Sequence, residues 1–538
     1  MVYLIDCLNT DELLKTRKEG VFVTAKKSEG LFKTTLAVTL LIFVSKAGGF
    51  IREIIMAAYY GTEASMDAYN SAYSLYYVPV LLFNSCITST LLPIYMQVHE
   101  EDGLKRANHF ASNVLSLFGV AAMVVSVIMF MLAGPIVRIT NGGYSLEKQQ
   151  LTAQLLRIML PSLVFLVSSI VLSSILNARE KYLAAQLTGF PITVALIAAT
   201  VGFSAQFGIK ALAWGVFFSG ILQVLILLPS LRNTFSFKIH FDFNDANFKR
   251  LLLLACPAVL SMAVNELNHL IDRFLATGLG DGMVAGMNFA FKLITFLQGV
   301  LLVPLTTIMF SKMSQHAAKG DNKGIIRIIM NCIETVSLVI LPITAVCIVM
   351  GGDVIRAAYM RGQFDAESVV ITTGPFVFYV IGLIGFGVRD LLNRAFHSLQ
   401  DTKTPMANSA VTVVMNIVLN LLLVKAMGAS GLALATSASG ILGACMLFVR
   451  LRGKLGLMGG MKTAIELMKI GISTVVCALV CLLLNYLIPD AVSSLTAFVR
   501  LGGIALVSVA VYGAAVVVLK VNTVKSLIDM ILRRLKRV

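Results

Sequence analysis

The stretch SKAGGFIREIIMAAYYG, residues 45–61, continues the apolar run LFKTTLAVTLLIFV without a break, yet it holds Lys46, Arg52 and Glu53. An ionised side chain at membrane depth costs about 3 kcal/mol or more unless it faces protein or water. Two cations and one carboxylate in such a setting offer one chemistry above others: holding a phosphate or carboxylate by charge and hydrogen bonds. With Ser45 at the origin and about 100° per residue, Arg52 falls at about −20°, Gly49 at about 40°, Glu53 at about 80° and Lys46 at about 100°. Ala47, Phe50, Ile51 and Ile54 occupy about 140° to 240° on the same wheel. The charged arc therefore cannot face lipid and faces a partner helix or a polar cavity. Two readings stay open at this point. One is an internal ion-pair set, with Lys46 and Glu53 two turns apart and Asp67 opening the next span. The other is the cationic wall of a cavity for an anionic substrate.

Other polar residues sit inside apolar runs. Residues 248–278 carry Asn265, Glu266, Asn268, His269, Asp272 and Arg273, and residues 282–314 carry Lys292. Asp390 and Arg394 have i,i+4 spacing and read as a satisfied pair near a helix end. Arg157 reads as interfacial. His269 has no second ligand cluster and reads as core or cavity lining rather than metal ligand. The eight cysteines show no metal-binding spacing, and Cys477 and Cys481, one turn apart in an apolar helix, read as packing residues.

The elements that position these residues are membrane helices. The 538 residues are 57% hydrophobic and 13% charged, about half the charge of an ordinary soluble domain. Apolar runs long enough to cross a bilayer recur along nearly the whole chain, which makes it an all-α polytopic membrane protein. The expected 14 spans are 31–60, 66–97, 108–134, 150–177, 182–206, 209–231, 248–278, 282–314, 324–350, 367–397, 404–427, 429–452, 463–487 and 494–519. Residues 1–30 read as a cytosolic extension and 520–538 as a basic cytosolic tail, whose VKSLIDMILRRLKRV is suited to anionic headgroups. Of the 44 Lys and Arg, about 31 fall on one side of this plan, about 7 on the other and six inside spans. That asymmetry places both termini in the cytoplasm. It also explains the net charge of +16 without nucleic acid.

The chain repeats itself. LAWGVFFSGIL at 212–222 returns as LALATSASGIL at 432–442, and Leu231-Arg232 returns as Leu451-Arg452. Arg52 corresponds roughly to Arg273. The repeat relates spans 1–6 (residues 31–231) to spans 7–12 (247–452), leaving 463–519 as two additional helices. Two parallel six-helix repeats are the plan of alternating-access transporters, with the site between the halves. Enzyme motifs fail: GLMGGMKT (456–463) has Met461 where a phosphate loop needs glycine, and HFDFND (240–245) lacks an Asp-x-Asp pair.

GFIREIIMAAYYGTEASMDAYNSAYSL resembles the start of the MurJ (MviN) lipid II flippases, as do LIDRFLATGLGDGMVAGMNFAFKLITF, MRGQFDAES, LLNRAFHSLQDTKTP and NIVLNLLLVKAMGASGLALATS. This family lies within the larger group that includes MATE multidrug antiporters and polysaccharide flippases. The resemblance implies a bacterial cytoplasmic-membrane flippase, not an enzyme, that moves lipid-linked peptidoglycan precursor to the outer leaflet. It implies lipid II and membrane lipids as partners, alongside proteins of cell-wall synthesis or division. It implies a substrate site of Lys46, Arg52, Asp67 and Lys292, to which the charges read inside the spans add Glu53, holding the cations in place, and Arg273, the repeat counterpart of Arg52. Lysines stand at 46 and 292 where the family has arginine, and a further arginine is missing near Pro79 and Val80. Lysine keeps the charge but lacks the bidentate fork. Some members hold sodium between spans 7 and 11 with an asparagine and an acid one turn apart in span 11; here Asn416 and Asn420 have that spacing but the acid is absent, Asp272 of span 7 is the candidate to supply the charge, and no other cofactor is implied. The alternatives are a flippase for another polyprenyl-linked glycan and an ion-coupled exporter of the MATE type.

The topology has a direct test. A cysteine placed at Lys319 should react with a membrane-impermeant maleimide only after cells are opened, and one placed at Gln363 should react in intact cells. The reverse pattern would invert the orientation.

Overall fold

Every backbone amide and carbonyl inside a bilayer must be satisfied within the protein, and a sequence this apolar meets that demand by forming helices. The computed structural model describes residues 25–232, 235–458, 460–491, 493–522 and 524, without the side chains of 25–36, Ser261, Asn265 and Ile308. Most of the N-terminal extension and of the basic tail lie outside the described residues, as does the Asn265 side chain.

The chain opens with α1 (Ala25–Tyr60), α2 (Ala64–Met131) and α3 (Ala133–Thr140). Then follow α4 (Leu146–Met159), α5 (Ser162–Ala178), α6 (Tyr182–Gln186), α7 (Gly189–Phe207) and α8 (Lys210–Leu231). The second part holds α9 (Ala246–Thr277), α10 (Met283–Leu301), α11 (Val303–Ala318), α12 (Asn322–Val349) and α13 (Gly351–Tyr359). It continues with α14 (Ala366–Ile381), α15 (Leu383–Ser398), α16 (Lys403–Leu455), α17 (Met461–Leu487) and α18 (Ser494–Val518).

Among the described residues, nine helices are long and apolar enough to cross a membrane, or eleven if α4 with α5 and α14 with α15 each form one bent span. Two of the three spans by which eleven falls short of the 14 expected are absorbed where α2 and α16 each join two arms through a turn, and the third is span 1, because α1 is not among the helices counted. The 68-residue α2 would run about 100 Å, some three bilayer cores, if it were straight. It breaks at Gly103, where φ is 79°. The 53-residue α16 breaks at Gly428. Asp401 just before α16 pairs with Lys454 near its far end at 3.0 Å, so the two arms run antiparallel. Hydrogen bonds from the Thr404 amide and Lys454 hold the Asp401 carboxyl down to about 2. The sequence expects helices at 66–97 and 108–134, and at 404–427 and 429–452; each pair is one hairpin. It does not anticipate the short α3 and α13.

Lipid tails are as apolar as leucine, so small residues that let backbones approach decide where membrane helices cross. The repeated SGIL motif marks such crossings in both parts. Gly220 of α8 sits against Ser162 of α5, where an added Cβ would lie 3.1 Å from its side chain. Gly440 of α16 sits against the Phe386 ring of α15, where an added Cβ would lie 2.5 Å away. Leu212 and Ala213, and their counterparts Leu432 and Ala433, are all fully buried or nearly so.

The last two helices pack on each other, α17 also on α12 and α18 also on α13. Arg500 of α18 is buried and pairs with Asp353 of α13. It also donates to the carbonyls of Asn485 (2.9 Å) and Ile488 (3.0 Å). At the other end Glu466 accepts from the Asn522 amide at 2.8 Å. Cys477 and Cys481 are free thiols in the apolar seam, in keeping with a packing role. Asp353→Leu removes the buried carboxylate partner of Arg500 and leaves it only the exposed Asp490 at 3.3 Å and the two carbonyls, and breaking such a buried pair costs up to about 3–5 kcal/mol. The substitution should lower the thermal midpoint in detergent and expose Cys477 to thiol reagents, whereas Asp353→Leu with Arg500→Leu should recover most of the loss. Unchanged Cys477 labelling in the single variant would contradict this anchoring.

Candidate functional site

The charged arc of α1 meets α2 and α10. Arg52 Nη2 donates to Glu53 Oε1 at 2.7 Å, and Lys292 Nζ of α10 lies 3.9 Å from the same oxygen. Glu53 is almost fully buried, while the Lys292 side chain is about a third exposed. Beside them Asn288 of α10 donates to Asn70 of α2 at 2.6 Å. Tyr69 and Tyr73 complete the wall of a small pocket, whose space of about 20 Å³ takes a water rather than a sugar. Arg52 Nε is buried with no acceptor among the described residues. A buried guanidinium donor left over after pairing is a donor available to a ligand oxygen. Lys46, Arg52 and Arg273 all act on Lys292 as like charges. One carboxylate thus faces several cations, and the pocket favours an anion.

Three placements differ from the ion-pair set open to the sequence. Lys46 is exposed and makes no ion pair among the described residues, so Glu53 serves Arg52 and Lys292 instead. Ser45 and Gly48, on the same arc, meet Gly189 and Thr193 of α7, which shows that part of the arc is a helix contact. Asp67 does not reach the cations of α1. Its carboxylate accepts from the Gly282 amide (2.7 Å), the Ala285 amide (2.7 Å) and Lys148 Nζ (2.6 Å). It caps the start of α10, where the helix dipole favours an anion. Lys148 also pairs with Asp281 at 2.7 Å.

This capped end is sealed. Thr62 Oγ1 donates to Ser368 Oγ at 2.9 Å, and the Gln363 amide donates to the Ala58 carbonyl at 2.8 Å. Gly282 has φ of 81°, and an added Cβ would lie 2.4 Å from the Thr62 carbonyl oxygen. The turn between α1 and α2 is thereby clasped between the α9–α10 turn and the α13–α14 loop. Lys148 and Asp281 have no sequence signal: each looks like an ordinary charge at a helix end.

A second polar cluster lies between α9 and α16. Asn420 Nδ2 donates to Asp272 Oδ1 at 2.5 Å and to Asn416 Oδ1 at 2.8 Å. Asn416 also reaches Ser439 at 3.2 Å. The expected trio therefore comes together. Among the described residues no group of three or more His, Cys, Asp or Glu is placed to hold a metal. Asp390 and Arg394 pair at 3.0 Å. His269 lies near Phe291, with ring centroids 6.1 Å apart.

The profile of the family described as lipid II flippase MurJ matches residues 56–501. The chain belongs to the MurJ lipid II flippase family. It is therefore a multi-pass membrane transporter and not an enzyme. A probable lipid II flippase MurJ of Rhizobium tropici is 27% identical over 418 residues, 76% of this chain and 78% of the relative. A solved structure of the lipid II flippase MurJ in an inward closed conformation aligns with TM-score 0.75 at 22% identity, over 90% of this chain and 100% of that one. An inward-facing MATE family multidrug transporter aligns with TM-score 0.68 at 14% identity, over 76% of this chain and 94% of that one. These structural likenesses establish a shared fold between the MurJ and MATE families.

For a MurJ-family transporter, a seal at one end of the helix that carries a pocket cation has a measurable consequence. With native cysteines replaced, Thr62→Cys with Ser368→Cys should cross-link readily under mild oxidant. Adding Asp67→Asn should reduce the yield severalfold, since α10 loses a charged cap and Lys148 loses one of its two carboxylate partners. An unchanged yield would show that Asp67 does not hold this end closed.

Proposed function

We propose that the chain carries lipid II, the lipid-linked peptidoglycan precursor, from the cytoplasmic to the outer leaflet by alternating access. In this reading the six-helix parts 31–231 and 247–452, within a 14-span plan with both termini cytoplasmic, rock about the pocket. The observation that supports it is Glu53 shared by Arg52 of the first part and Lys292 of the second, with the Arg52 Nε donor left over. A pyrophosphate satisfies that excess charge. Arg52 supplies the fork and Lys292 a point charge. Arg273 and Lys46 add positive potential, and Glu53 keeps both cations positioned when the site is empty. Asp67 acts at the closed end and must release the α10 amides for that end to open. The polyprenyl tail stays in the bilayer.

The cluster of Asp272, Asn416 and Asn420 fits a sodium ion. Asn420 Oδ1 is buried and accepts no hydrogen bond among the described residues, and Asp272 supplies the negative charge. Hard carboxylate and carbonyl oxygens suit such a cation. In the proposed site a bound ion would tie α9 to α16 within the second part. Lysine at 292 in place of the family's arginine favours one second reading, a flippase for another polyprenyl-linked glycan.

Arg52→Ala should abolish complementation of a strain depleted of its lipid II flippase at normal membrane levels, with lipid II failing to reach an outer-leaflet probe. Arg52→Lys should retain part of the activity. Normal growth of the alanine variant would sink the role given to Arg52. Failure of the unchanged chain to complement would favour the other glycan.

A further inference from the structure

We propose that Tyr73 and Tyr77 of α2, backed by the buried Tyr69, form an aromatic track that stacks against a sugar ring of the lipid-linked substrate; this rests on the flippase reading above. The three residues recur at i, i+4 and i+8, so they share one face of the helix. Their rings are near parallel: Tyr69 and Tyr73 have centroids 6.0 Å apart at 25°, and Tyr73 and Tyr77 have centroids 5.7 Å apart at 13°. The track begins in the pocket. Tyr69 and Tyr73 line it together with Arg52 and Lys292. It then leaves the pocket, because Tyr77, one turn further along, is 37% exposed.

Tyr76 provides the contrast. It is 2% exposed, and its hydroxyl is paired with Ser162 at 2.7 Å, so it is a core residue. The hydroxyls of Tyr73 and Tyr77 have no hydrogen-bond partner among the described residues. The Glu266 carboxyl of α9 acts on Tyr77 electrostatically. Ring faces, free phenolic hydroxyls and a carboxylate beside them are what a pyranose offers partners to: C–H bonds on its faces and hydroxyls on its rim. The one turn from Tyr73 to Tyr77 covers about 6 Å along the helix, room for about one sugar ring. The order along the track is also the order of a glycan diphosphate. Phosphate charge meets Arg52 and Lys292, and a sugar ring follows along Tyr73 and Tyr77.

The test uses the full chain in nanodiscs and two probes, lipid II and undecaprenyl pyrophosphate, which lacks sugar. Tyr73→Leu and Tyr77→Leu should each weaken lipid II binding about tenfold, the effect of losing one good aromatic contact. Tyr77→Leu, which lies outside the pocket wall, is the discriminating variant: it should leave undecaprenyl pyrophosphate binding unchanged, which also shows that it is folded. Tyr73→Phe and Tyr77→Phe keep the ring and should bind lipid II within a few-fold of the unchanged chain. An equal loss for both probes, or no loss for lipid II, would overturn the track while leaving the flippase reading intact. An unchanged chain that binds undecaprenyl pyrophosphate and not lipid II would overturn the flippase reading and the track with it.

Discussion

A single carboxylate, Glu53, neutralises two cations, and that shortage of negative charge governs the pocket. Arg52 lies 2.7 Å from it on the same helix and Lys292 lies 3.9 Å from it on another. Burying ions is costly, and a pair repays the cost only when every charge finds a partner. Here one positive charge remains in excess, so the resting arrangement is incomplete and an anion completes it. The shared carboxylate also sets a geometric condition. Lys292 comes from the second part of the chain, so the pocket holds this charge balance only while α10 lies against α1 and α2.

That condition links the pocket to the sealed end. The helix that presents Lys292 is the helix whose first turn is held by Asp67 through the Gly282 and Ala285 amides. A helix transmits displacement along its axis because its hydrogen bonds keep it stiff. Pulling α10 away from α2 at its start therefore also shifts Lys292 relative to Glu53. Lys148 and Asp281 belong to the same device: Lys148 bridges Asp67 to the turn before α10 and so binds α4, α2 and α10 at one point. Gly282 permits this approach because its positive φ and missing side chain leave room for the Thr62 carbonyl.

Much of this was legible in the sequence, for physical reasons that differ from residue to residue. Arg52, Glu53 and Lys292 stood out because charge in an apolar run is expensive, and helical phase assigned the first two to one arc. The repeated SGIL motif was legible because close helix crossings need small residues at fixed positions. Asp67 was recognisable, but its partner Lys148 is 81 residues away and carries no local pattern. The arms of α2 and α16 were legible as the separate spans 66–97 and 108–134, and 404–427 and 429–452, whereas the single-glycine turns that join them into hairpins were not. The tyrosines of α2 have a visible spacing, yet Tyr76 shows that aromatic residues in such a run also serve the core. Only exposure and the state of the hydroxyls separate the two roles.

The two cations are not equivalent, and the difference has a mechanical sense. Arg52 has one arm of its fork fixed by Glu53 and Nε free, so its orientation is set before any ligand arrives. A planar, pre-oriented donor loses little freedom on binding, which suits it to recognise a diphosphate. Lys292 is a point charge on a flexible stem, held at a longer distance and partly exposed. A fork demands a fixed partner geometry, whereas a point charge keeps most of its attraction as the distance changes by an ångström or two. Lysine is thus the better choice on the helix that moves with the seal, and arginine on the helix that stays with the carboxylate. In the transport cycle proposed above, lysine at 292 in place of the family's arginine would soften the grip on the side that moves and leave the recognising side unchanged.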